Sequence, residues 1–219
     1  MKQHSGGKPQ PRTRSRILVI FSRIASFIFH PFFMITIAAF ALYKFVPSSF
    51  PDHSSHAINM FFINLALFTI VFPFLSVVLF RKLHLISDTK MHEPKDRIYP
   101  LLTALIFYTS AYWFLTKGMP LLIHSLLLGS CLSIFLLFIV TNSYKVSVHT
   151  TAAAMVPGVC IVLLAGYEKA TALLLFASLA AIIVGIVRWL LGAHTIGQIL
   201  LGYLTGIFTQ LGAYYYLRS

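Results

Sequence analysis

Charge is what this 219-residue chain has least of: Asp, Glu, Lys and Arg make up only 10% of it, against roughly 25% in a soluble domain. That deficit excludes a soluble globular enzyme. Acid is scarcer still, with 5 Asp and Glu against 17 Lys and Arg and a formal net charge of +12. Hard cations want several carboxylates, so no metal site is expected. Cysteine is nearly absent. Cys131 and Cys160 both lie in apolar runs and give no disulfide or thiolate framework. A Walker loop, a dinucleotide fingerprint and an HExxH helix are all missing.

What is there is hydrophobic: 58% of the residues, with a mean hydropathy of +0.84. A bilayer core of about 30 Å takes roughly 20 apolar residues as helix. Seven stretches approach that length: 24–43, 57–80, 99–115, 120–140, 150–167, 170–190 and 196–217. Short polar loops separate them. The chain therefore predicts an all-α, polytopic transmembrane helical bundle of six to seven spans, a single domain over 17–219. Residues 1–16 carry Lys2, Lys8, Arg12, Arg14 and Arg16 among Gly and Pro, the composition of a basic, disordered tail. Ala39-Phe40-Ala41 has the shape of a signal cleavage site. The apolar run before it exceeds a signal h-region of about 7–15 residues, which favours a retained span.

The strong positive balance would suggest nucleic acid in a soluble protein. Among membrane spans it points instead to the bilayer's cytoplasmic face or an anionic substrate. With seven spans, only Lys44, Lys117, Lys169 and Arg218 fall on the side opposite the N-terminus, and the other 13 Lys and Arg share its side. The positive-inside rule makes that side cytoplasmic. Leaving out Lys90, Arg97, Lys145 and Arg188 as ligand-binding candidates keeps the bias at 9 to 4.

Polar groups gather on that same side: Lys90, Lys95 and Arg97, then Lys145, Ser147 and His149, then Arg188, His194 and Gln198. Ionisable groups at span ends are costly unless paired, solvated or ligand-bound. An excess of Lys, Arg and His is what a phosphate group needs, since Arg offers a planar fork of donors and Lys a point charge. His194 and Gln198 are four apart, so on a helix they share a face and the amide reaches the ring.

In sequence order these residues read KMHEPKDRI at 90–98, VSVH at 146–149 and VRWLLGAHTIGQ at 187–198. The set resembles the type 2 phosphatidate phosphatase superfamily, membrane lipid-phosphate phosphatases related to bacterial acid phosphatases and vanadium haloperoxidases. That family carries Lys-x6-Arg-Pro, Pro-Ser-Gly-His and Ser-Arg-x5-His-x3-Asp in this order. The resemblance runs from residue 90 to the end, about half the chain. Lys90, Arg97, Ser147, His149, Arg188 and His194 match functional positions. Ile98, Val146, Val148, Val187 and Gln198 depart from Pro, Pro, Gly, Ser and Asp respectively.

The resemblance implies a lipid-phosphate-phosphatase-like core and hydrolysis of a lipid phosphate or diphosphate through a phosphohistidine, with no metal or cofactor. His194 would be the nucleophile and His149 the acid and then the base. Lys90, Arg97, Ser147 and Arg188 would hold the phosphate oxygens. Gln198 would orient His194 without the charge of an Asp, which implies slow turnover. The alternative is a non-catalytic relative that binds lipid phosphates or serves as a scaffold. The implied partners are a lipid phosphate and the bilayer, with no nucleic acid; a homodimer stays open beside a monomer. A small chain with little outside the membrane suggests a bacterial inner membrane.

Other residues have simpler readings. His30-Pro31 reads as a helix kink. Lys95 and Asp96 read as solvated loop charges. Gly202-x3-Gly206 reads as a place of close helix approach.

Overall fold

The computed structural model describes residues 16–50, 54–87, 95–141, 143–164, 166–167 and 169–219. Among them all regular structure is helical. The helices are α1 (Arg16–Ile28), α2 (Pro31–Phe45), α3 (Ser55–Ala66), α4 (Phe72–Lys82), α5 (Lys95–Leu115), α6 (Leu121–Val140), α7 (Val148–Leu163), α8 (Ala170–Leu190) and α9 (Ile196–Arg218). The basic tail expected over 1–16 lies outside the described residues, except for Arg16, which opens α1.

Among the described residues, five helical stretches are long and apolar enough to cross a bilayer: Ser55–Lys82, Asp96–Leu115, Leu121–Val140, Ala170–Leu190 and Ile196–Arg218. The chain is thus a helical integral membrane protein. The span count differs from the seven runs in two places. The first run is not one straight helix, because its Ile20–Ile28 and Pro31–Phe45 parts meet at 56°. Pro31 has no N–H to continue a helix and disfavours helical dihedrals in the residue before it. His30 accordingly sits at φ −67°, ψ 139°. The fifth run folds as a helix of 16 residues, about 24 Å at 1.5 Å per residue, shorter than the other spans.

That short helix is the centre of the bundle. Twelve of the 16 residues of α7 are buried, and it packs on α8 and α9, while α6 packs on α9 and α5. Small residues make this possible. A Cβ on Gly206 would lie 2.3 Å from the Thr151 carbonyl oxygen, and one on Gly202 would lie 2.2 Å from Thr150 Oγ1. The Gly202-x3-Gly206 stripe is therefore where α9 approaches α7 closely. Polar pairs bridge the same interior: Ser133 and Thr209 hydroxyls are 2.5 Å apart, and Gln210 Nε2 donates to the Leu126 carbonyl at 3.2 Å. Such interhelical bonds help hold helices together where the hydrophobic effect between them is weak.

The Ser55–Lys82 span lies at the periphery and is interrupted by a π-turn, Leu67–Val71, in which the Phe72 N–H reaches back to the Leu67 carbonyl. The cause is Pro73, which cannot donate to the carbonyl of Thr69 four residues earlier. Tyr108 Oη donates to that freed carbonyl at 3.3 Å. Thr69 Oγ1 donates back to the Leu65 carbonyl and lies 2.9 Å from Thr36 Oγ1, joining α2 to this span.

Candidate functional site

The site is built where helices begin. At the start of α9, Thr195 is the N-cap, and its hydroxyl accepts from the Gln198 N–H at 3.4 Å. Gln198 Oε1 returns the bond by accepting from the Thr195 N–H at 3.2 Å, completing a capping box. The same Oε1 lies 3.1 Å from His194 Nδ1. A backbone N–H can only donate, so the capping box fixes the amide with its oxygen toward Thr195 and His194. His194 Nδ1 is then the donor, and the ring's lone pair sits on Nε2. The Gln198-to-ring reach expected from the sequence is present.

The turn before His194 follows from Gly192, at φ +66°. Its left-handed backbone closes α8, with the Ala193 N–H donating to the Arg188 carbonyl at 3.1 Å. Arg188 thus lies in the last turn of α8, one tight reversal from His194.

At the start of α7, Ser147 is the N-cap and is fully buried. Its hydroxyl accepts from the Thr150 N–H at 3.4 Å, and its own N–H donates to the Gln198 carbonyl at 3.3 Å. That last bond ties the beginnings of α7 and α9 together. Ser147 is therefore a structural cap, with its hydroxyl proton not used in the cap. His149 follows in the first turn of α7.

Two residues that sequence reasoning did not place in the site belong to it. Ser26 Oγ accepts from Arg188 Nη1 at 2.9 Å and lies 3.5 Å from His149 Nε2. His30, the N-cap of α2, accepts from the Phe32 N–H through Nδ1 at 3.4 Å, and its ring centre is 5.3 Å from that of His149. From the sequence, His30 reads first as part of a kink and second as a cavity-lining residue. The break it makes is what brings the beginning of α2 against α7. A histidine at the one break in an apolar run was the available signal; Ser26, inside that run, gave none.

Arg97, in the first turn of α5, is buried, and its charge reaches both His194 and Arg188. Lys145 also acts on His194. Helices α2, α5, α7 and α9 therefore all start around one cluster, and each helix start carries partial positive charge from its unsatisfied N–H groups. Lys90 lies outside the described residues. Asp96 corrects an expectation: it is buried, not solvated, and accepts from the Ser87 N–H at 2.9 Å and from the Ser87 hydroxyl. Its carboxylate thus pins the 83–87 turn to α5.

The electrostatics favour an anion. His194 is held neutral, its pKa lowered to about 4, first by burial and then by the Arg188 charge. The Gln198 bond opposes this, and Lys145 and Arg97 reinforce it. Arg188 Nε is buried without a hydrogen-bond partner among the described residues, a donor whose desolvation is left uncompensated. Among the described residues no group of three or more His, Cys, Asp or Glu is arranged to hold a metal ion.

No family model, curated protein or solved structure matches the chain. The structure gathers His149, His194, Gln198, Ser147, Arg188 and Arg97 at one end of the bundle and adds Ser26 and His30.

Proposed function

We propose that this protein is a membrane phosphatase that hydrolyses a lipid phosphate or diphosphate through a phosphohistidine on His194. The observation that carries this reading is the state of His194. Its Nδ1 donates to Gln198, its Nε2 carries the lone pair, and Arg188 with an unpartnered Nε stands one turn away. Phosphoryl transfer asks a protein mainly for positioning and for neutralisation of the non-bridging oxygens. Arg97, Arg188 and the helix starts supply the charge, Lys90 joins them by the family resemblance, and the Ser147 hydroxyl proton adds a donor.

The chemistry balances with two histidines. His194 Nε2 attacks phosphorus, a P–N bond forms, and the P–O bond to the lipid alcohol breaks. His149, carrying a proton taken up together with the phosphate dianion, gives it to the departing oxygen. Neutral His149 then takes a proton from water, the hydroxide attacks phosphorus, and the P–N bond breaks to release phosphate. The excess of Lys and Arg on the site's side supports a cytoplasmic site, and a bacterial inner membrane is part of the same proposal.

Gln198 favours a second reading, a lipid-phosphate-binding protein with little turnover. The neutral amide orients His194 but cannot offset the positive charge that forms on it. Removing the corresponding charge in a serine-protease triad costs about 10⁴ in rate. Phosphate release in detergent, from a panel of lipid phosphates and diphosphates, separates the two. Release by the wild type that disappears in His194→Ala supports the phosphatase. No release from any lipid, with binding lost in Arg188→Ala, leaves the binding protein.

A further inference from the structure

Ser26 stands in an unusual place for a residue of an outer helix. Its oxygen touches both Arg188 Nη1, at 2.9 Å, and His149 Nε2, at 3.5 Å. The guanidinium can only donate, so Ser26 Oγ accepts from it with one lone pair, and the contact with His149 Nε2 runs in either direction with the ring's tautomer. An oxygen gripped by a guanidinium on one side and facing an acid–base imidazole on the other has the surroundings that the bridging oxygen of a phosphate ester requires.

The helix that carries Ser26 is lightly attached. Among the described side chains of α1, those turned to the protein are Ser22, Ala25 and Ser26, all small, and Ser22 Oγ is buried without a partner among the described residues. Its other side exposes Ile20, Phe21, Ile24, Phe27 and Ile28. Those side chains remain in lipid wherever α1 lies, so a shift of α1 uncovers little apolar surface to water. The break at His30, with its 56° bend, gives the shift a hinge. Helix α1 packs on α8, the helix that ends in Arg188.

We infer that Ser26 Oγ occupies the seat of the substrate's bridging oxygen, and that α1 turns about His30 to admit the lipid alcohol along the α1–α8 seam. This rests on the phosphatase reading and adds where the leaving group lies and what must move. Phosphate competes with Ser26 for Arg188, so removing the hydroxyl removes the competitor.

The test is the affinity of inorganic phosphate for the detergent-solubilised full chain, measured by equilibrium dialysis. Ser26→Ala is expected to bind about tenfold more tightly than wild type, the scale of one hydrogen bond to a charged group. Ser26→Thr, which keeps the hydroxyl, stays near wild type, and Arg188→Ala binds far more weakly. Equal or weaker binding by Ser26→Ala, with Arg188→Ala still impaired, overturns the inference and leaves the anion site standing. Undiminished binding by Arg188→Ala, or no binding by any form, overturns both. Spin labels at Ile24→Cys and Ile186→Cys, with Cys131 and Cys160 replaced by Ala, give a second readout. The α1–α8 distance is expected to lengthen with phosphate and to be longer already in Ser26→Ala. An unchanged distance in both cases contradicts the hinge.

Discussion

The α7–α9 pair and the Ser55–Lys82 span are parts of one bundle built on opposite rules. The outer span has a mean hydropathy of 2.4 in its most apolar window, and only 17% of that window is buried in the protein. Helix α9 reaches only 1.2, and its partner α7 is mostly buried. Apolarity alone does not set this contrast, since Leu121–Val140 has the same 2.4 with 50% of its window buried; small and weakly polar residues are what distinguish the inner pair. The site belongs to the inner pair. Its groups hang on the starts of α7 and α9, which are fixed to each other by glycines and by the Ser147–Gln198 bond. The outer span can absorb a π-turn at Pro73 because its irregular backbone is repaired locally by Tyr108.

The sharpest way to break this contrast is to fill a glycine of the inner pair. A Cβ at Gly206 would meet the Thr151 carbonyl oxygen at 2.3 Å, a backbone atom that cannot step aside. Gly206→Leu is expected to destabilise by about 3 kcal/mol, read as a drop in Tm in detergent, with loss of phosphate binding. Gly212, on the same helix, has nothing within 4 Å of its Cβ position. Gly212→Leu is expected to stay within about 0.5 kcal/mol of wild type. Equal effects at the two glycines would remove the distinction.

A change at the site itself has a smaller effect on folding and a specific effect on chemistry. His194 lies at about 4, below its ordinary 6.5, because burial and the Arg188, Lys145 and Arg97 charges all disfavour its protonated form. The nucleophile is therefore neutral above that value, and the acid limb of kcat/KM is expected near pH 4. Gln198→Glu keeps an acceptor for the capping box and adds negative charge beside the ring. That raises the His194 pKa and moves the acid limb to higher pH, with faster turnover. A limb that does not move would mean that His194 is not the group whose ionisation is read.

The outer span gives the smallest expected effect. Tyr108→Phe leaves the Thr69 carbonyl without its donor and costs about 1 kcal/mol in unfolding measurements. Phosphate binding and the pH profile should not change. A change in either would show that the π-turn region communicates with the site.

The sequence made much of this legible for a physical reason. Long apolar runs are forced by the bilayer, so the helical membrane class and most helix positions could be read from composition. The contact of Gln198 with His194 could be read because spacing on a helix start is nearly rigid. The kink at His30-Pro31 could be read from the proline. The short α7 was harder, because it sits inside an apolar stretch, where hydropathy alone does not distinguish a span from a buried helix. Asp96 could not be read as buried, because its partner Ser87 lies outside the helix, nine residues away in sequence. Ser26 carried no mark, since one serine in an apolar run becomes meaningful only when tertiary packing brings it to Arg188 and His149.

The central claim is that His194 takes the phosphoryl group, and trapping tests it most directly. The detergent-solubilised protein would be mixed with a lipid bearing labelled phosphate, quenched in alkali, digested and mapped. The account predicts an alkali-stable, acid-labile label on the peptide containing His194, absent in His194→Ala and longer-lived in His149→Ala. Phosphate release by the wild type with no label at His194, or with turnover undiminished in His194→Ala, would contradict it.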